Sequence, residues 1–224
     1  MIVLLVLTDG RRTCIERTLA SAADKLHGPI TRRVIHDDSA DPAYRRWLLD
    51  EFPTFEVVST GTRSGFGGAI RSAWSYLAQT AEYDDAGYVF HLEDDFTFRQ
   101  PVYLHRLAAV LELNPHLVQL ALRRQPWNDA ERAAGGVVEQ HPEAYEEHRL
   151  GLLGWLEHRL FFTTNPSLYR RSLTWHGWPE GAHSEGRFSH ELLEDEALRF
   201  GLWGGRDSGE WVHHIGDVRA GSGY

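Results

Sequence analysis

Residues 2–7 form an unbroken apolar run rich in branched side chains. Such a run suits a strand covered on both faces. Thr13 and Glu16 stand at capping-box spacing, which predicts a helix over residues 14–23. Gly28-Pro29 breaks the chain, and residues 33–36 read as a second strand ending at Asp37-Asp38. Asp41-Pro42 has the chemistry of an N-cap followed by proline at the first helical position, and Tyr44, Trp47 and Leu48 give that short helix an apolar face. Residues 55–58 predict a third strand. Residues 65–68 predict a glycine-rich turn, after which Ile70, Ala73, Trp74, Leu77 and Ala78 recur at helical spacing. Residues 88–92 predict a fourth strand that runs directly into Glu93-Asp94-Asp95.

Pro101 opens a further helix with Leu104, Leu107, Ala108 and Leu111 on one side, and residues 118–122 predict another strand. Residues 123–150 are polar and acidic around Gly135-Gly136, and read as a long loop or a substrate-covering insertion. Residues 160–163 predict a strand. Ser184 or Ser189 is placed to cap a helix ending near Phe200, with short final strands at 202–203 and 211–215. Strands alternating with helices predict an α/β fold with a mostly parallel central sheet. No linker divides the chain, so residues 1–224 are expected to form one domain.

Composition narrows the setting. The chain has 224 residues, 42% of them hydrophobic, enough for one sizeable core. Its formal net charge of -9 argues against a nucleic-acid partner, because phosphate binding relies on clustered Lys and Arg. The one cysteine, Cys14, allows no intrachain disulfide and asks for no oxidising compartment. The opening residues lack the basic start of a signal peptide. No run approaches the roughly 18 apolar residues of a transmembrane segment. A cytoplasmic protein is the expectation.

The chemistry concentrates after the fourth strand. Ligands of open α/β sheets bind outside the carboxyl ends of the strands. Three adjacent carboxylates there repel one another unless a cation or hydrogen-bond donors neutralise them. A hard divalent cation suits oxygen ligands and can bridge a pyrophosphate. Other nucleotide signatures fail: a dinucleotide GxGxxG would need glycine where Ile70 stands, and no phosphate-binding loop precedes the single lysine, Lys25. The chain has neither an HExxH pair nor a GxSxG elbow.

Read in order, the segments resemble the GT-A fold glycosyltransferases, particularly the family 2 type. Thr8-Asp9-Gly10-Arg11-Arg12 follows the first strand as the family's polar turn does. His36-Asp37-Asp38-Ser39-Ala40-Asp41 resembles its Asp-Asp-Gly-Ser-x-Asp segment. Gly65-Phe66-Gly67-Gly68-Ala69-Ile70-Arg71 resembles its glycine-rich turn with the helix arginine. Leu92-Glu93-Asp94-Asp95 resembles its DxD motif, with Glu in place of the first Asp. Trp211-Val212-His213-His214-Ile215-Gly216 resembles a late metal-binding histidine segment.

The resemblance implies a Rossmann-like nucleotide-binding half over residues 1–100 and an acceptor-side half with a smaller sheet over 101–224. It implies a metal-dependent, inverting transfer of a hexosyl group from a nucleotide-sugar donor, UDP-sugar being the usual one, to an unidentified acceptor: a glycan, a protein or a small molecule. Thr8 and Asp38, with Asp37 beside it, would contact the base and ribose. Arg71 would lie near the base or diphosphate. Glu93 and Asp94 would support the ribose and the metal shell. Asp95 and His214, with His213 as rival, would ligate Mn2+ or Mg2+. The general base would come from the helix after residues 178–181: Glu185 first, then Glu191, with Glu194-Asp195 matching the family's literal pair but standing too near the helix end. Two other readings compete, a nucleotidyltransferase acting on sugar phosphates and a catalytically inactive sugar-nucleotide-binding module.

Overall fold

A computed structural model describes residues 1–80 and 86–216. The chain runs β1 (Ile2–Thr8), α1 (Arg12–Lys25), β2 (Leu26–His27), β3 (Ile30–Asp37), α2 (Pro42–Glu51), β4 (Glu56–Val58), α3 (Gly65–Gln79), β5 (Tyr88–Glu93), β6 (Phe96–Phe98), β7 (Val102–Tyr103) and α4 (Leu104–Leu113). It continues through β8 (Leu117–Leu122), α5 (Asp129–Ala134), α6 (Val137–Gln140), β9 (Glu146–Leu150), β10 (Leu153–His158), β11 (Ser167–Arg170), α7 (Leu173–His176), α8 (Ser184–Leu193), β12 (Arg199–Trp203) and β13 (Val212–His214).

A nine-stranded sheet has the order β4-β3-β1-β5-β11-β8-β12-β10-β9. The neighbours β4, β3, β1 and β5 are parallel; β11 runs against both β5 and β8, and β12 is again parallel to β8. The small sheets β13-β6 and β2-β7 flank it. The mixed α/β architecture with a largely parallel sheet is the one the alternating pattern predicts.

The buried strand β1 explains the layering. Its side chains alternate between two cores, as the period of two requires. Ile2, Leu4 and Val6 pack on one face with Ile15 and Leu19 of α1 and Leu107 and Leu111 of α4. Val3, Leu5 and Leu7 pack on the other with Ile70, Trp74 and Leu77 of α3 and Phe188 of α8. Both faces of the strand are therefore covered by helices, and β1 can carry no polar residue until Thr8 at its carboxyl end.

Several boundaries differ from the sequence expectation, each for a local reason. Helix α1 starts before Thr13: the backbone N–H groups of Cys14 and Ile15 both bond to the Arg11 carbonyl, and no side chain caps the helix. Asp41 does cap α2, accepting from the Ala43 N–H at 2.8 Å ahead of Pro42. The glycine-rich stretch 65–68 is the first turn of α3 itself. Residues 123–150 hold α5, α6 and β9 rather than a long loop; β9 reads Glu-Glu-His-Arg-Leu and pairs only with β10, so its charged residues mark an edge strand. Residues 160–163 are not a strand. Their backbone bonds to side chains instead: Phe162 N–H to Ser189 Oγ at 2.8 Å and Thr163 N–H to Gln119 Oε1 at 3.1 Å.

Packing between β12 and β8 is close at one point. A Cβ on Gly201 would lie 2.8 Å from Leu120 Cδ2 and 3.1 Å from the Gln119 carbonyl oxygen. Gly201→Ala should therefore lower unfolding free energy by about 1–3 kcal/mol, the usual range for overpacking a core. A urea midpoint shift at unchanged slope is the check; an unshifted midpoint would show that β12 can move aside.

Candidate active site

The acid cluster is positioned by the register of the central strands. Thr8 ends β1 and pairs with Asp37 at the end of β3, while Leu7 pairs with Glu93 at the end of β5. The Asp94 N–H then bonds to the Leu7 carbonyl at 2.9 Å, and the Asp38 N–H to the Thr8 carbonyl at 2.9 Å. Four carboxylates thus emerge together where β1, β3 and β5 end. The chain turns back at once through β6, and the β13 register sets His214 opposite Phe96, one residue past Asp95. The Ile215 N–H bonds to the Asp95 carbonyl at 2.7 Å and closes this corner.

Asp95 is 4% exposed. Its Oδ2 lies 3.2 Å from His214 Nε2 and accepts from Arg11 NH1 at 2.5 Å. Burial raises its pKa, but the hydrogen bond from His214 and the charge of Arg11 outweigh that and hold the carboxyl below its ordinary range. Among the described residues, Asp95 Oδ1 is buried without a hydrogen-bond partner, as is His214 Nδ1. Asp94 is fully buried, accepting from Thr8 Oγ1 at 2.7 Å and from the second arm of the Arg11 guanidinium. Burial pushes its carboxyl up to about 7, against the pull of Arg11 and the Thr8 hydroxyl.

His214, rather than His213, meets the acids. His213 turns to Glu210, 3.4 Å away. His214 is held on every side: Gln125 donates to its carbonyl and accepts from its N–H, each at 2.9 Å, and its ring packs edge-on to Trp127 and Phe96, with centroids 4.4 and 4.8 Å apart. Gln125 and Trp127 belong to the stretch that reads as a bare loop, and nothing in their spacing signals this contact.

Helix α8 delivers Glu185. Ser189 on α8 accepts the Phe162 N–H and donates to the Phe162 carbonyl at 3.3 Å, which docks the helix against residues 161–166. In the first turn of α8, Glu185 Oε1 then accepts from the Thr164 N–H at 2.7 Å and the Thr164 hydroxyl at 3.1 Å. Burial pushes the Glu185 carboxyl above its ordinary range, with Thr164 and the Thr163 hydroxyl opposing. Glu93 faces the same Thr164 side chain and feels both Asp95 and Glu185; burial and those two like charges push it well up. Glu93 and Glu185 are therefore neighbours across Thr164. Glu191 lies elsewhere, half-exposed and 3.7 Å from His176, and Asp195 caps the Ala197 N–H beyond the end of α8.

The other expected contacts are engaged within the protein. Asp38, 2% exposed, accepts from the N–H of Ser64 at 2.9 Å, its hydroxyl at 2.5 Å and the Gly65 N–H at 2.8 Å, fixing the start of α3. Asp37 accepts from the Ser39 N–H at 2.9 Å. Arg71 reaches the carbonyls of Trp178 and Pro179, at 3.2 and 3.0 Å, and holds the turn before α8. Thr8 has its hydroxyl 2.6 Å from Tyr44 OH, behind Asp94. The residue the sequence signals least is Arg11, which reads as part of a polar turn and sits at the centre of the acids.

Among the described residues no three of His, Cys, Asp and Glu converge as a complete metal-holding group. Asp95 and His214 alone suit a divalent cation as protein ligands, and the unpartnered Asp95 Oδ1 is an oxygen available to it. No described helix is long and apolar enough to cross a membrane.

No family model matches the chain, and no curated protein matches it. Solved structures do. S. aureus TarS 1–349 in complex with UDP-GlcNAc superposes with a TM-score of 0.62 at 16% identity, covering 98% of this chain and 59% of that one. The mannosyltransferase PcManGT from Pyrobaculum calidifontis, in complex with GDP-Man and Mn2+, superposes with a TM-score of 0.60 at 14% identity, covering 89% of this chain and 53% of that one. This chain thus spans little more than half the length of either neighbour, and identities this low speak for the architecture alone. The superposition over nearly the whole chain shows the architecture: this protein has the GT-A fold.

Proposed function

We propose that the protein is a metal-dependent, inverting glycosyltransferase that moves a hexosyl group from a nucleotide-sugar donor, a UDP-sugar first among them, to an acceptor hydroxyl. The observation that carries this reading is the meeting of two halves at one place. Asp95 follows the donor-side strand β5, while His214 comes from β13 and Glu185 from α8 in the other half, with Glu93 and Thr164 between Asp95 and Glu185. The fold neighbours with bound UDP-GlcNAc and with GDP-Man and Mn2+ support the donor class.

In the transfer, the acceptor oxygen attacks the anomeric carbon, its proton passes to the Glu185 carboxylate, and the bond from that carbon to the diphosphate oxygen breaks. A carboxylate whose pKa is raised is a better base than an ordinary glutamate. Thr164 fixes one of its oxygens through two hydrogen bonds and so sets the direction of the other. A Mn2+ or Mg2+ ion held by Asp95 and His214 would supply positive charge to the departing diphosphate. Asp94 keeps Thr8 and Arg11 in place behind Asp95, and Gln125 with Trp127 keeps His214 facing it.

Incubation with UDP-, GDP- and dTDP-sugars in Mn2+ should release nucleoside diphosphate from one of them, and EDTA should stop the release. Pyrophosphate formed from a sugar phosphate and a nucleoside triphosphate would replace this reading with a nucleotidyltransferase. Donor binding without release, in the presence of a broad acceptor mixture, would replace it with a binding module.

A further inference from the structure

Arg11 stands where a positive charge is needed and where a metal would need to come. It lies at the N-cap of α1 and bridges the acid pair, one arm on Asp94 Oδ1 and the other on Asp95 Oδ2 at 2.5 Å. Its Nε bonds to Asp9 Oδ1 at 3.0 Å, and Asp9 Oδ2 is held in turn by Arg63 at 3.0 Å from the loop before α3. Its side chain is 23% exposed, so it is a fixed part of the corner. Backbone also comes close to it: a Cβ on Gly216 would lie 2.3 Å from Asp95 Oδ2 and 3.0 Å from Arg11 NH1, so a side chain there would push on the pair. The oxygen that His214 shares with Asp95 is thus already occupied by a cation, while Asp95 Oδ1, buried and without a partner, is left for another ligand.

A guanidinium and a divalent ion on the same carboxylate repel strongly at this burial, because little water intervenes to screen them. Binding the ion alone must therefore either overcome that repulsion or break the Arg11–Asp95 contact. A diphosphate changes the balance: its negative charges attract both cations, and a guanidinium pairs well with phosphate oxygens through two parallel hydrogen bonds.

We propose that Arg11 is an internal counter-ion that keeps free divalent cations off Asp95, and that it yields this carboxylate only to a cation arriving with a nucleoside diphosphate, to which its guanidinium then turns. This rests on the donor reading above. It makes metal and nucleotide binding strongly interdependent, with Arg11 as the residue that couples them.

The test is Mn2+ binding followed by the electron paramagnetic resonance of free Mn2+, with the whole chain and no donor sugar. Arg11→Ala should bind Mn2+ alone about tenfold tighter than the wild type or more, the direction set by removing a like charge. Arg11→Lys, which keeps the charge but loses the planar fork of donors, should fall between them. It serves in place of the alanine variant if that one does not fold, as thermal melting will show. Adding UDP or GDP should tighten Mn2+ binding to the wild type more than to Arg11→Ala. Adding Asp95→Asn to Arg11→Ala should abolish the gain. Equal or weaker Mn2+ binding by Arg11→Ala and Arg11→Lys would overturn the inference while leaving the metal reading intact, and so would a gain that survives Asp95→Asn. Mn2+ binding by no variant, with or without UDP or GDP, would overturn both.

Discussion

Asp95→Asn lowers kcat/KM for nucleoside diphosphate release by about 10^3-fold, roughly 4 kcal/mol of transition-state stabilisation, the size expected when one key electrostatic contact to a leaving group is lost. The substitution is isosteric and keeps the corner closed by the Ile215 N–H bond to the residue's carbonyl, so the fold should persist. What it removes is the negative charge that His214 and Arg11 both address. Raising Mn2+ concentration should recover only part of the rate. Near-wild-type release at ordinary Mn2+ would show that the carboxylate is structural, neutralised by Arg11 and idle in the chemistry.

Glu185→Gln carries the second large effect, on a different kinetic term. It should lower kcat by about 10^2- to 10^4-fold, the range of a lost general base, with the KM for donor changed less, because the hydrogen bonds of Glu185 go to Thr164 and not to Asp95 or His214. The pH profile sharpens this. Burial raises the Glu185 pKa, so the folded enzyme holds that proton to a higher pH than an ordinary glutamate would. Activity depends on the unprotonated form. The rate should rise with pH through that raised pKa, and fall as pH drops below it. In Glu185→Gln this acid limb should vanish from the residual rate. Glu191→Gln, half-exposed beside His176, should leave both rate and limb in place. The reverse result for the two variants would move the base along α8.

The sequence reached much of this site because buried strands declare themselves. An apolar run that ends abruptly in Thr8, or in Glu93-Asp94-Asp95, announces a strand end with chemistry on it, and the parallel register brings such ends together. The place of Glu185 after a turn, in the first turn of a helix, was legible because it needs no knowledge of contacts. What stayed hidden was made by tertiary packing. Arg11 differs in no local respect from Arg12, yet only Arg11 lies under the acids. Gln125 and Trp127 sit in a polar stretch without period, and their clamp on His214 exists because β13 passes alongside it. Asp38 and Arg71 show the converse. Their types and positions suit ligand contact, while here their hydrogen bonds hold the start of α3 and the turn before α8.

The same packing explains why edge strand β9 and the short helices α5 and α6 were missed. Their exposed positions mix charged residues with small ones such as Ala130, Ala133 and Ala134, and their structure comes from contacts such as Arg124 on the buried Glu131 and Asn128 capping the Glu131 N–H. Local hydrophobic period had little to report there.

The central claim is that Asp95 and His214 hold a catalytic divalent cation together with a nucleoside diphosphate. Anomalous diffraction at the manganese edge, from crystals grown with Mn2+ and UDP or GDP, reads that directly. One strong peak is expected in ligand distance of an Asp95 carboxylate oxygen, a His214 ring nitrogen and the diphosphate, with Arg11 moved off Asp95. A bound nucleotide with Arg11 still bridging Asp94 and Asp95 and no manganese peak beside them would contradict it.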